Sequence, residues 1–126
     1  MNKESRQFQF NVYDERLDVC SESPMTGFTR NGKCETSAID LGTHLICATV
    51  TEKFLEYTKS VGNDLSTPRP MYQFPGLKPG DNWCLCVNRW VEAQKAGVAP
   101  PVVLRATNKK VLNYLEKFRM GLDNLK

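Results

Sequence analysis

The chemistry available to this chain rests on five cysteines and one histidine: Cys20, Cys34, Cys47, Cys84, Cys86 and His44. A thiolate is a nucleophile and a soft metal ligand. A neutral imidazole is a zinc ligand or a general base. The cysteines fall into two groups separated by a proline-rich stretch. Their odd number argues against a framework made of disulfides alone. Metal ligation, thiol chemistry and the packing of small buried hydrophobes all stay open.

Cys84-Leu85-Cys86 reads as part of a strand, where alternate side chains share a face. Both thiols then point one way, with Trp83, Leu85 and Val87 on the other side. Their Cα atoms would lie about 6.5–7 Å apart on extended backbone, a poor distance for bridging each other. They suit one ligand pocket or one metal, or they pack as hydrophobes. His44 and Cys47 would face opposite ways on a strand, so only one of them joins any site.

Two reactive readings follow. Zinc takes four tetrahedral nitrogen or sulfur ligands in a structural site. Cys20 and Cys34 with Cys84 and Cys86, or with His44, supply enough of them. The thirteen residues between Cys20 and Cys34 do not match a zinc knuckle. Zinc is the one cofactor this inventory suggests. Alternatively Cys84 or Cys86 is a nucleophile, with His44 as base and Asp64 or Asp81 as orienter. No nucleophile-elbow signature accompanies them. Arg69 and Arg89 can each clamp an anion bidentately or form an internal salt bridge. With Asp81 and Trp83 they make up a candidate ligand-binding set.

The elements that must position these groups are legible in part. Phe8, Phe10 and Val12 alternate with polar residues, a short strand pattern. Asp14 to Pro24 reads as loop. Asn31-Gly32 predicts a two-residue hairpin turn setting Thr29 opposite Cys34. Thr43 to Val50 is an apolar strand, and Thr51 caps a helix carrying Phe54, Leu55, Thr58 and Val61 on one face. Gly62-Asn63 ends it. Residues 62–82 hold four prolines and several glycines, which exclude a helix or a central strand. Met71, Tyr72, Phe74 and Leu77 argue that this loop is ordered and lies across the body of the domain. Trp83 to Val87 is a strand followed by a helix that places Trp90 in the core, and Gly97 stops it. Val102 to Ala106 reads as another strand. Thr107 is the expected cap of a last helix through Val111, Leu115, Phe118 and Leu122. Lys109 and Lys110 in its first turn oppose the helix dipole. They mark an anion site or a tolerated surface cost.

The expected fold is α+β: a small mixed or antiparallel sheet, about three helices and a long ordered Pro/Gly-rich loop. The 126 residues suit one domain spanning 1–126, with 1–7 flexible. An apolar fraction of 40% and a charged fraction of 25% are ordinary for a globular protein. A net charge of +3 without a basic patch argues against nucleic acid as a partner. No apolar run approaches a membrane span, and no apolar segment follows Met1 to Arg6. No membrane association is expected, and the cytoplasm is the expected location.

Several segments together resemble one family. They include Pro24-Met25-Thr26-Gly27-Phe28, Asn31-Gly32-Lys33-Cys34 and Leu41-Gly42-Thr43-His44. Gly62-Asn63-Asp64 through Pro70, Phe74-Pro75-Gly76-Leu77-Lys78-Pro79-Gly80-Asp81 and Trp83-Cys84-Leu85-Cys86 carry the most weight, with Ala96 to Val102 completing the set. From about Asn11 to about Leu115 the chain is similar to an uncharacterised bacterial family, domain of unknown function 2237. The resemblance implies a small stand-alone cytoplasmic protein and implies no activity. Similar sequences tend to place a histidine where this chain has Asn108.

Three functions compete on these observations. The first is a thiol-containing small-molecule pocket under the loop at 62–81, enzymatic or not. The second is a structural zinc protein. The third is a protein-interaction module using Pro68-Arg69-Pro70-Met71-Tyr72 as a docking surface.

Overall fold

The longest unbroken run of buried backbone is Leu45 to Ala48, at the centre of β1 (His44–Thr49). Such a run reads as a strand covered on both faces. On one side it meets the apolar core, with Phe54, Leu85, Trp90, Val111 and Leu115. On the other it meets a cluster of Cys20, Cys34, Cys47, Cys84 and Ala106. In the computed structural model, which describes residues 8–37 and 43–126, β1 pairs antiparallel with β2 (Asn82–Cys86). Cys47 lies opposite Cys84, and His44 opposite Cys86 across an irregularity between His44 and Ile46.

Both strands lead straight into helices. Thr51 accepts the Phe54 amide at 3.1 Å and caps α1 (Glu52–Ser60), which buries Phe54, Leu55 and Thr58. Val61 closes the helix, and Gly62 follows at a φ of +96°. α2 (Val87–Lys95) follows β2 with no intervening residue and buries Val87, Trp90, Val91 and Ala93. The Trp90 indole donates to the Pro100 carbonyl at 3.3 Å, which fixes it as a core residue. Among the described residues the fold is a two-stranded antiparallel sheet with four α-helices, an α+β arrangement in one small domain. The expectation of a flexible 1–7 lies outside the described residues.

The tract at 62–81 is ordered around a short 3-10 turn, Pro70–Tyr72, with Arg69 and Phe74 bridged on either side of it. The Leu77 amide donates to the Leu65 carbonyl at 2.8 Å. Phe74 and Leu77 are buried beneath it. The loop is therefore clamped to itself and packed on the core by its few apolar residues.

Several local expectations need correction. Phe8 to Val12 makes only isolated bridges, Phe10 to Arg16 and Asn11 to Asn108. The Asn31-Gly32 turn forms no hairpin. Gly32 is buried at a φ of +88°, its amide donates to Thr26 and its carbonyl accepts from Cys20 and Ser21. The turn therefore ties the loop inward instead of returning a strand alongside itself. Val102 to Ala106 makes one bridge to Ala48 and then a 3-10 turn, Leu104–Ala106.

The last helix is interrupted. α3 (Val111–Leu115) runs into a 3-10 turn, Glu116–Phe118, and Arg119 at a φ of 59° reverses the chain before α4 (Leu122–Leu125). Thr107 caps neither piece. Its hydroxyl accepts the Cys47 amide at 3.1 Å and donates to the Val103 carbonyl at 2.9 Å. Lys109 before α3 pairs with Asp14.

Candidate functional site

A cleft of about 360 Å³ opens between the loop at 62–81 and the segment at 26–30. Its volume is in the range of small-molecule sites. β1 contributes His44 and β2 contributes Trp83 and Cys84. The Pro/Gly tract contributes Asp64, Arg69, Tyr72 and Phe74, and the opposite lip carries Phe28 and Arg30. Residues as far apart in sequence as Thr26 and Cys84 thus share one surface.

Five aromatic rings line it: Phe28, His44, Tyr72, Phe74 and Trp83. Phe28 lies against the His44 ring at 6.2 Å between centroids and 25° between planes. Phe74 meets Trp83 at 5.2 Å in a tilted arrangement. The Arg30 guanidinium sits 5.8 Å from the centre of the Trp83 ring, within cation–π range. Among the described residues neither Arg30 nor Arg69 pairs with a carboxylate.

Among the described residues the lining holds one carboxylate, and it is bonded within the loop. Asp64 Oδ1 accepts the Ser66 and Thr67 amides at 2.9 and 3.1 Å, and Oδ2 accepts the Thr67 hydroxyl at 2.6 Å. The Thr67 hydroxyl and then the Ser66 amide hold its pKa below the ordinary carboxylate value. Asp64 shapes the start of the loop and offers little to a ligand. The net result is a cleft with aromatic walls, two guanidiniums and one ionised carboxylate, an excess of one positive charge among the described residues.

Some candidate residues stand apart. Asp81 accepts the Lys78 amide at 2.9 Å and closes a turn at the far end of the loop. Arg89 pairs with Glu92 at 3.2 Å and reaches the Val61 carbonyl at 3.4 Å. Cys86, half-buried with a free thiol, ends β2 and does not line the cleft. Of the docking segment, Met71 is 90% and Tyr72 68% exposed.

The remaining four cysteines form two disulfides, Cys20–Cys47 and Cys34–Cys84. Each joins the irregular loop before residue 37 to a strand of the sheet, with Cα atoms 5.7 and 5.4 Å apart. In this state no thiol remains among the four, so Cys84 is no nucleophile and neither pair ligates a metal. Of the expected zinc set, Cys20, Cys34 and Cys84 converge, but Cys47 joins them in place of Cys86. The Sγ atoms of Cys20, Cys34 and Cys47 all lie within 4.8 Å of one another, and all three residues are buried.

Sequence reasoning passed over the side chains that hold this arrangement. Thr26 is fully buried and its hydroxyl accepts the Cys84 amide at 2.9 Å. Asn108 donates to the Cys34 carbonyl at 3.1 Å and to Gln9 at 2.6 Å. Asn11 accepts the Tyr13 and Glu15 amides and donates to the Arg105 carbonyl. A single polar residue in an irregular segment carries no periodic signal, so its structural role shows only in the fold.

No helix among the described residues is long and apolar enough to cross a membrane. No curated protein matches the chain. Residues 10–121 match the model of the DUF2237 family, described as an uncharacterized protein conserved in bacteria. The chain belongs to that family.

Proposed function

For this member of an uncharacterised bacterial family, we propose that the cleft under the loop at 62–81 binds a small molecule with a planar body and an anionic group. The observation that carries the reading is the meeting of Arg30, Arg69, Trp83 and His44 in one concave surface where, among the described residues, the one carboxylate, Asp64, has its oxygens bonded within the loop. Aromatic walls favour a flat ligand. An unpaired guanidinium presents a fork that matches a carboxylate or phosphate. The Cys34–Cys84 disulfide lies beneath the same cleft through Cys84.

Titration with benzoate and with indole-3-acetate tests it, followed by amide and indole chemical shifts. The Trp83 indole and the amides of residues 26–30 and 64–74 should move together. Arg69→Ala should weaken binding roughly tenfold, the loss of one charge-assisted pair. Shifts scattered over the surface, or equal affinity for the uncharged amide analogues, would defeat the reading.

A second reading, a structural metal centre on Cys20, Cys34, Cys84 and Cys86, is favoured by one observation. Three of those four cysteines meet in one buried cluster. Elemental analysis of the purified protein tests it, and metal well below one equivalent in both reduced and oxidised samples would end it.

A further inference from the structure

We propose that Cys20, Cys34, Cys47 and Cys84 become a four-thiolate zinc site when their disulfides are reduced. The link between loop and sheet is then covalent in an oxidising setting and metallic in a reducing one. This rests on the second reading above and changes its ligand set, replacing Cys86 by Cys47.

The sulfur geometry supports the exchange. A tetrahedral zinc with bonds of about 2.3 Å spaces its sulfurs about 3.8 Å apart. The Cys34 sulfur lies within 4.8 Å of those of Cys20 and Cys47, and the fourth, on Cys84, is bonded to that of Cys34. Opening each bond by about 2 Å, drawing the Cys34 sulfur about 1 Å closer to those of Cys20 and Cys47, and turning the freed Cys84 side chain toward them are side-chain rotations.

Hydrogen bonds hold the backbone at these positions alongside the sulfur bonds. The Cys20 amide donates to Gly32 at 2.7 Å, Cys47 to the Thr107 hydroxyl at 3.1 Å and Cys84 to the Thr26 hydroxyl at 2.9 Å. The Cys34 carbonyl accepts from Asn108. Four anchored and buried positions around one point form a preorganised ligand set.

The chemistry balances. Each disulfide takes two electrons and two protons from a dithiol, which closes to its own disulfide, and two thiols result. Zn²⁺ then displaces four protons from the four thiols, leaving a centre of net charge −2. In either state the same cross-links hold a segment, residues 17–36, that has no helix or strand of its own. The expected cytoplasmic location and the disulfides pull in opposite directions, because cytosolic thiols are kept reduced. A cross-link that changes chemistry with its surroundings accommodates both.

The test compares wild type, Cys47→Ala and Cys86→Ala, each oxidised and each reduced anaerobically by a phosphine in the presence of Co²⁺. The expected result is one equivalent of cobalt in reduced wild type and reduced Cys86→Ala, with the strong visible absorption of a tetrahedral thiolate site. Zinc should bleach it. Cys47→Ala should bind roughly 10-fold more weakly or worse, and oxidised protein should bind none.

Cobalt retained by Cys47→Ala and lost by Cys86→Ala would overturn this site yet uphold the second reading. Cobalt absent from every reduced sample sinks both. A reduced chain that loses its native circular dichroism and does not recover it on adding zinc also overturns the proposal.

Discussion

The amide of Cys84 donates to the hydroxyl of Thr26 at 2.9 Å, and both residues are buried. This bond joins the irregular N-terminal segment to β2 at the point where the cleft floor meets the sulfur cluster. Thr26→Val keeps the shape but removes the acceptor and leaves a buried N–H unsatisfied. A loss of about 1–3 kcal/mol is expected in urea unfolding of the oxidised protein. Thr26→Ser should recover most of it.

Each disulfide closes a loop across the denatured chain, of 50 residues for Cys34–Cys84 and 27 for Cys20–Cys47. The chain-entropy estimate gives about 4 kcal/mol for the longer and a few tenths less for the shorter. Paired alanine substitutions, read by urea denaturation without reductant, should follow that order. Equal stability of the Cys34/Cys84 double variant and wild type would contradict the cross-link.

Gly76 and Gly62 both have φ in the left-handed range, +82° and +96°, but differ in surroundings. A Cβ on Gly76 would run into the Ser66 carbonyl, whereas Gly62 faces open space. Gly62→Ala should cost about 1 kcal/mol from backbone strain alone. Gly76→Ala should cost more and free the clamp at the base of the loop. Hydrogen exchange at the Leu77 amide, bonded to Leu65, is the sensitive reporter.

Asp64 gives a pH signature of defined sign. Its folded pKa is lowered, first by the Thr67 hydroxyl and then by the Ser66 amide, against a smaller opposing effect of burial. The carboxylate therefore stabilises the loop above the ordinary carboxylate pKa. That contribution fades as pH falls through the ordinary value and on through the lowered one. Asp64→Asn should flatten this part of the stability–pH curve and leave neutral and alkaline behaviour parallel to wild type. A carboxyl carbon titration by NMR that shows Asp64 at or above its ordinary value would refute the assignment.

Local signals carried β1 and α1, β2 and α2, and the exclusion of helix and central strand from most of the proline-rich tract. An apolar run, a threonine before a helical stripe and a cluster of prolines each act over a few residues, so composition specifies them. The segment from Phe8 to Thr36 yielded least. Asn31-Gly32 has the preference for a hairpin turn, but Gly32 is instead drawn inward by bonds to Thr26, Cys20 and Ser21. The last helix fails for a similar reason: its stripe is continuous in sequence, yet Arg119 turns the chain so that Leu125 also reaches the core.

Sequence by itself determined that sulfur, imidazole and guanidinium would be scarce, named and located on particular strands and loops. Only tertiary structure decided their company. Antiparallel pairing sets Cys47 opposite Cys84, yet each bonds a loop cysteine, Cys20 and Cys34 respectively, whose Cα atom folding brings within the distance of about 4.4–6.8 Å that a disulfide requires. That distance depends on how some fifty intervening residues pack. The choice of Cys47 over Cys86, and of Arg69 over Arg89 for the cleft, is a property of the folded surface and of no shorter stretch of chain.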